Sequence, residues 1–188
     1  MQRTFGLKNH YCQMSRTSHL ARRFFGSLRP GGPPPAESVW AESQLLPGER
    51  AIWRSLSGPD RRHSAAVARR VELSLGSKAT RPVLAAALLH DCGKVASGLR
   101  TPGRVIATVL AVSVVKSESD ISRWSTSRSS WKRSVGIYRR HPDLGAEMLS
   151  DSDSDVLTVA WTKEHHLPSA AWTLDPTIAH ALHEADDD

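Results

Sequence analysis

The segment His90-Asp91-Cys92-Gly93-Lys94 brings an imidazole, a carboxylate and an ammonium close together, directly after the almost wholly apolar run Pro82 to Leu89. A run this apolar belongs in a core. Ending it with adjacent His and Asp is costly unless something compensates the buried polar groups. A divalent metal ion is the commonest strong compensation for that pair.

Other ionisable residues fall on apolar helical stripes or at helix ends. His63, Val67 and Val71 stand at i, i+4 and i+8, so the imidazole points the same way as two valines. His141 precedes Pro142, which favours an extended or capping conformation just before a helix. His165 and His166 end a helical stretch stopped by Pro168. In the last segment Ile178, Ala181, Leu182 and Ala185 share one face. At about 100° per residue, Asp186 lies beside that face and Asp187 opposite it. Phase alone therefore singles out Asp186 as the candidate ligand. Taken singly, each residue has a plain explanation. A helix histidine is usually a satisfied polar group, His-Pro is often only a turn, and His-His at a helix C-terminus suits the dipole. The information lies in the joint order: His, His-Asp, His, His-His, Asp.

That order, with His63, His90-Asp91 and Asp186, resembles the HD-domain superfamily of metal-dependent phosphohydrolases, and the His-Asp-x-Gly-Lys string matches its most recognisable segment. His141-Pro142-x-x-Gly145 and His165-His166 are similar to the fuller pattern of the branch that holds two metals. The resemblance covers about residues 50–188 and is closest to small bacterial stand-alone HD proteins of undefined substrate. The Gly-Tyr-Pro signature of cyclic dinucleotide phosphodiesterases is absent. The resemblance implies an all-α, HD-domain-like helical bundle with ligands converging from several helices. It implies that His63, His90, Asp91 and Asp186 hold a first metal, and that Asp91 bridges to a second held by His141 with His165 or His166. One or two divalent ions are implied. Donors of this kind, without thiolate, suit Mn, Fe, Co, Ni, Zn or Mg.

The activity implied is hydrolysis of a small-molecule phosphoester, a nucleotide or a relative, by metal-activated water. Asp91 and Lys94 are the catalytic candidates. Lys94 lies past a glycine that permits a turn and can reach a phosphate oxygen as a point charge. Read alone, it is equally a surface lysine. Arg104 and Arg139-Arg140 are further phosphate candidates. Cys92 stands where an aliphatic residue is more usual, as a small hydrophobe or as an oxidation-sensitive neighbour of the metal. Two other classes stay open: a non-catalytic HD-fold module that binds a nucleotide and signals by conformation, and a helical interaction protein with incidental histidines.

These residues must be positioned by helices, because the pattern beyond residue 36 is helical nearly throughout. Caps and period predict helices over Ser38 to Gln44, Pro47 to Ser55 and Arg61 to Leu75, the last capped by Asp60 and closed by Gly76. Further helices are predicted from Pro82 to Gly93 and from Val105 to Val115, opened by Pro102. Pro142 to about Leu149, a helix with caps offered by Asp153 to Asp155 running through Ala160 toward His165, and Pro176 to about Asp186 complete the set. Residues 116–130, rich in Ser and charge, read as a variable loop with a partial helix that could shape the pocket without touching metal. Before the domain (37–188) stands an arm and linker (1–36). Pro30-Gly-Gly-Pro-Pro-Pro35 is read as an extended linker. Leu20, Phe24, Phe25 and Leu28 give the arm one amphipathic stretch. That stretch is read as a helix docking on the body, with disorder or contact with an anionic membrane or nucleic acid as alternatives.

The net charge of +6 is uneven. Residues 1–36 hold six basic groups and no acid, leaving a body of formally zero charge. The basic pI is therefore read as a property of the arm, not of a nucleic-acid-binding surface. Two distant cysteines suggest reduced thiols in a cytoplasmic protein. No apolar run reaches the ~20 residues of a transmembrane helix. The first residues are acid-poor like a transit peptide but carry no cleavage signal.

Overall fold

A computed structural model describes residues 31–98 and 117–187. Among these residues the fold is all-α, with no strand. The helices are α1 (Pro35–Ser43), α2 (Pro47–Ser55), α3 (Gly58–Leu75), α4 (Arg81–Leu89), α5 (Glu118–Ser125), α6 (Ser130–Arg139), α7 (His141–Ser150), α8 (Val156–Glu164) and α9 (Pro176–Asp187). A 3-10 turn, Cys92–Ser97, follows α4. The arm, the helix expected over Val105–Val115 and Arg104 lie outside the described residues.

Helix α4 is the axis of the bundle. Every residue from Val83 to Leu89 is buried, each large apolar side chain contributing about 1.5–3 kcal/mol by leaving water. Helices α2, α3 and α8 pack around it, and α9 packs on α3. Polar ties support the packing: Trp53 donates its indole N–H to Ser64 Oγ (3.1 Å), and Thr158 Oγ1 donates to the Pro82 carbonyl (3.1 Å).

Several boundaries differ from the sequence expectation, for local reasons. Helix α1 begins at Pro35, inside the expected linker, because a proline is pre-organised for the first helical turn. Ser57, not Asp60, caps α3. Its Oγ accepts from Asp60 N (3.3 Å) and donates to Asp60 Oδ2 (2.6 Å), leaving Asp60 in the first turn. Helix α4 stops at Leu89 instead of running to Gly93, because the His90 ring occupies the Ala87 carbonyl (Nδ1 to O, 2.9 Å) and the chain turns at Asp91.

Residues 116–130, expected as a loop with a partial helix, hold α5, and the largest departure is α6, which follows where no element is expected. Residues 117–139 form two helices packed on one another, α5 and α6. Ile121, Trp124 and Val135 make a small core of their own, with Tyr138 against it. Helix α6 also packs against the Cys92–Ser97 turn. Gly136 permits the close approach: a Cβ there would stand 2.3 Å from Ser125 N and 2.6 Å from Trp124 C. Gly136→Ala should therefore destabilise the protein by about 1–3 kcal/mol or more, measured by urea denaturation. A variant as stable as wild type would show that α5 and α6 part without cost.

Candidate metal centre

Five helices deliver the ionisable residues to one place. His63 comes from α3, His90 caps α4, and Asp91 follows in the turn. His141 opens α7, His165 and His166 end α8, and Asp186 lies near the end of α9. Two donor groups result. His63, His90 and Asp186 form one; Asp91, His141, His165 and His166 form the other, each with its ligand atoms within 4.8 Å of one another.

Asp91 joins the two. Its Oδ2 lies 3.4 Å from His90 Nε2, while its Oδ1 lies 3.3 Å from His141 Nε2 and 3.6 Å from His165 Nε2. In the first group, Asp186 Oδ1 is 2.9 Å from His63 Nε2 and 3.5 Å from His90 Nε2. In the second, His166 Nε2 is 3.2 Å from His141 Nε2. Donors about 2.1 Å from a common ion are separated by about 3.0 Å along an octahedral edge and about 3.4 Å along a tetrahedral one. The observed spacings span both values.

The imidazoles are oriented by one repeated device. His90, His141 and His165 each place Nδ1 on the carbonyl three residues earlier: Ala87 (2.9 Å), Tyr138 (2.7 Å) and Thr162 (2.9 Å). Those carbonyls belong to final helical turns, beyond the regular i+4 pairing, and that of Tyr138 also accepts a backbone N–H at the helix end. With Nδ1–H donating, each ring turns its Nε2 lone pair into the cluster, the arrangement that orients metal-binding histidines. His90 Nε2, His165 Nε2 and Asp91 Oδ1 are buried and without a hydrogen bond. Buried polar atoms are rarely left so. Asp91 Oδ1 and His165 Nε2 lie in one donor group and His90 Nε2 in the other; all are acceptors when the rings are neutral, and each group fits a cation.

Close packing sets the position of the second group. Gly93 lies against the start of α7, where a Cβ would fall 2.0 Å from the His141 carbonyl and 2.6 Å from Gly145 N. Its φ is not positive, so its role is this approach and not the turn expected of it. Cys92 is buried, its Sγ 3.8 Å from the Gly145 carbonyl. Burial pushes its pKa up to about 12, with Asp91 adding to the effect. This is an inert small hydrophobe rather than an oxidation-prone thiolate.

Helical phase leaves His165 and His166 undecided, and the structure brings in both, His165 buried and His166 exposed at the rim. Asp186 is 19% exposed and faces His63, whereas Asp187 is 70% exposed and pairs with His183 (3.5 Å). Lys94 forms an ion pair with Asp91 Oδ2. Arg139 and Arg140 are exposed. Tyr138 is the participant the sequence reading misses: its carbonyl holds His141, and its ring lies 5.4 Å from that imidazole. The i−3 spacing from His141 was the available signal. No family model, curated protein or solved structure matches the chain.

Burial works against charge on Asp91, yet Lys94 and then His90 outweigh it and hold the carboxyl well below its ordinary value. Burial also opposes charge on His90, but Asp91 and Asp186 together raise its pKa above 6.5. For His141 burial prevails and the pKa falls. Without metal, the raised His90 value contributes stability that is complete below the unfolded value and lost as pH rises through the folded one. The lowered His141 value adds stability only as pH climbs toward about 6.5, and nothing above. The melting temperature of metal-free protein should therefore fall above about pH 6.5, and His90→Gln should flatten that fall. Thermal melts in a chelator test this. A wild-type melting temperature that stays level across that range would refute it.

Proposed function

We propose that this protein is a metal-dependent phosphohydrolase of the HD type, acting on a nucleotide or related small phosphoester. The observation that carries this reading is Asp91, whose Oδ2 faces His90 of the His63–His90–Asp186 set and whose Oδ1 faces the imidazoles of His141 and His165. His63, His90, Asp91 and Asp186 would hold one divalent ion, and Asp91, His141, His165 and His166 a second. Ions held there would polarise a phosphoryl oxygen and make a water nucleophilic near neutral pH.

The chain's own residues would do the rest. The carbonyls of Ala87, Tyr138 and Thr162 fix the three buried rings in the Nε2-acceptor form. Gly93 and Gly145 let the Asp91 turn press on α7, so the two donor sets stay at fixed separation. The ammonium of Lys94 stands beside the joining carboxylate and can turn to a phosphoryl oxygen as a point charge.

One observation favours a second reading. Lys94 pairs with the same Asp91 oxygen that faces His90. A fixed cation at that oxygen suits a module that binds a nucleotide without turning it over.

Elemental analysis after loading with Mn or Fe, followed by hydrolysis of p-nitrophenyl phosphate and its bis-ester, separates the readings. Near-stoichiometric metal with turnover is expected. Asp91→Asn should lower turnover by about 100-fold or more. Protein that binds metal but turns over no phosphoester in a broad screen would favour the binding module, and protein that takes up no metal would end the phosphohydrolase reading. Asp186→Asn should release metal whereas Asp187→Asn should retain it; equal retention in the two would remove Asp186 from the site.

A further inference from the structure

The formal neutrality of residues 37–188 conceals a sharp division. Residues 117–140 carry Arg123, Arg128, Lys132, Arg133, Arg139 and Arg140 against Glu118 and Asp120. Residues 141–187 carry ten acids and a single basic residue, Lys163. The α5–α6 hairpin is thus a cationic element on an otherwise acidic half of the domain, and the basic character is not confined to the arm.

Its charges are available. Arg123 pairs with Asp120 (2.6 Å). Among the described residues no carboxylate lies within ion-pair distance of the other five cations, and Arg128, Lys132, Arg133, Arg139 and Arg140 are all exposed. On α6 and its C-cap the basic residues recur at i and i+7, as Lys132 with Arg139 and Arg133 with Arg140. Trp131 stands among them, 51% exposed, edge-on to the buried Trp124 (5.4 Å between centroids) and with Lys132 Nζ 5.8 Å from its ring. Ile121, Trp124 and Val135 are committed to the hairpin's own core, so Trp131 alone offers a large apolar surface. One ring among repeated cations is too little apolar area to enter a bilayer. It is the pairing that holds single-stranded nucleic acid, with a base on the aromatic face and phosphates on the cations. At 1.5 Å per residue, Trp131 lies about 12 Å along α6 from Arg139, two residues before His141.

We propose that the exposed face of the α5–α6 hairpin, centred on Trp131, Lys132 and Arg133, docks single-stranded nucleic acid. Its nearness to the centre gains meaning from the phosphohydrolase reading, but the docking itself does not depend on metal or turnover. The test uses the full chain in EDTA, so loss of the hydrolase reading leaves it unaffected. Fluorescence anisotropy with labelled oligouridylate is compared with a duplex of the same length and with phosphatidylserine vesicles. Preference for the single strand is expected. Trp131→Ala should weaken it about tenfold, while Trp131→Phe, which keeps a stacking ring, retains most of the affinity. K132E/R133E should flatten the dependence of log affinity on log salt by about 0.7 for each phosphate no longer neutralised. Lys78→Glu, an exposed charge change outside the hairpin, should alter neither. Equal affinity in wild type and all hairpin variants would assign the binding to the arm and overturn the proposal. Binding to vesicles without binding to the oligonucleotide would overturn it equally.

Discussion

Asp91 is an ionised carboxylate set at the end of the most deeply buried helix of the domain, and the surrounding structure answers to the cost of keeping it there. A carboxylate removed from water is tolerated only when opposite charge and hydrogen-bond donors surround it. Lys94 supplies a cation from the same turn, and imidazoles arrive from α4, α7 and α8. None of these suffices alone: Asp91 Oδ1 remains without a hydrogen bond among the described residues. A polar cluster so incompletely satisfied is a poor device for stability, since a packed apolar core of the same shape would serve better.

That requirement explains why small residues gather beside the charged ones. Gly93 and Gly145 face one another across the contact between the Asp91 turn and α7, with Cys92 Sγ and Thr162 Cγ2 filling the space around them. A Cβ on Gly93 would push α7 away and take His141 with it, and one on Gly145 would press on Thr162 Cγ2 and the Gly93 backbone. The two donor sets are therefore held at their spacing by backbone against backbone, which is stiffer than any contact through long side chains. The i−3 carbonyls then aim the rings. Position and orientation come from different parts of the structure, the first from glycine packing and the second from helix ends.

The hairpin of α5 and α6 stands in a different relation to the core. It carries its own small apolar cluster, joins the domain chiefly through the turn after Asp91, and gives its last carbonyls to the opening of α7. Through Tyr138 it reaches the second donor set directly. An element that looks separable in sequence thus forms one wall of the centre, and its cationic outer face and its contact with His141 are two sides of the same helix pair.

Much of this was legible in the residues themselves. All-helical structure followed from caps, prolines and apolar period, and Asp186 was separable from Asp187 by phase because a helix fixes side-chain direction at about 100° per residue. His90-Asp91 after an apolar run identified a buried polar pair for a purely energetic reason. Tertiary structure alone decided the remainder. Helical period gave only a partial helix where α5 stands and nothing for α6, because a helix pair that buries only Ile121, Trp124 and Val135 leaves most positions polar. Nor could local rules show that His165 and His166 both belong to the cluster, or that Gly93 serves an approach between segments and not a turn. Those outcomes depend on which surfaces meet, and a linear pattern records what each residue prefers, not what it will be pressed against.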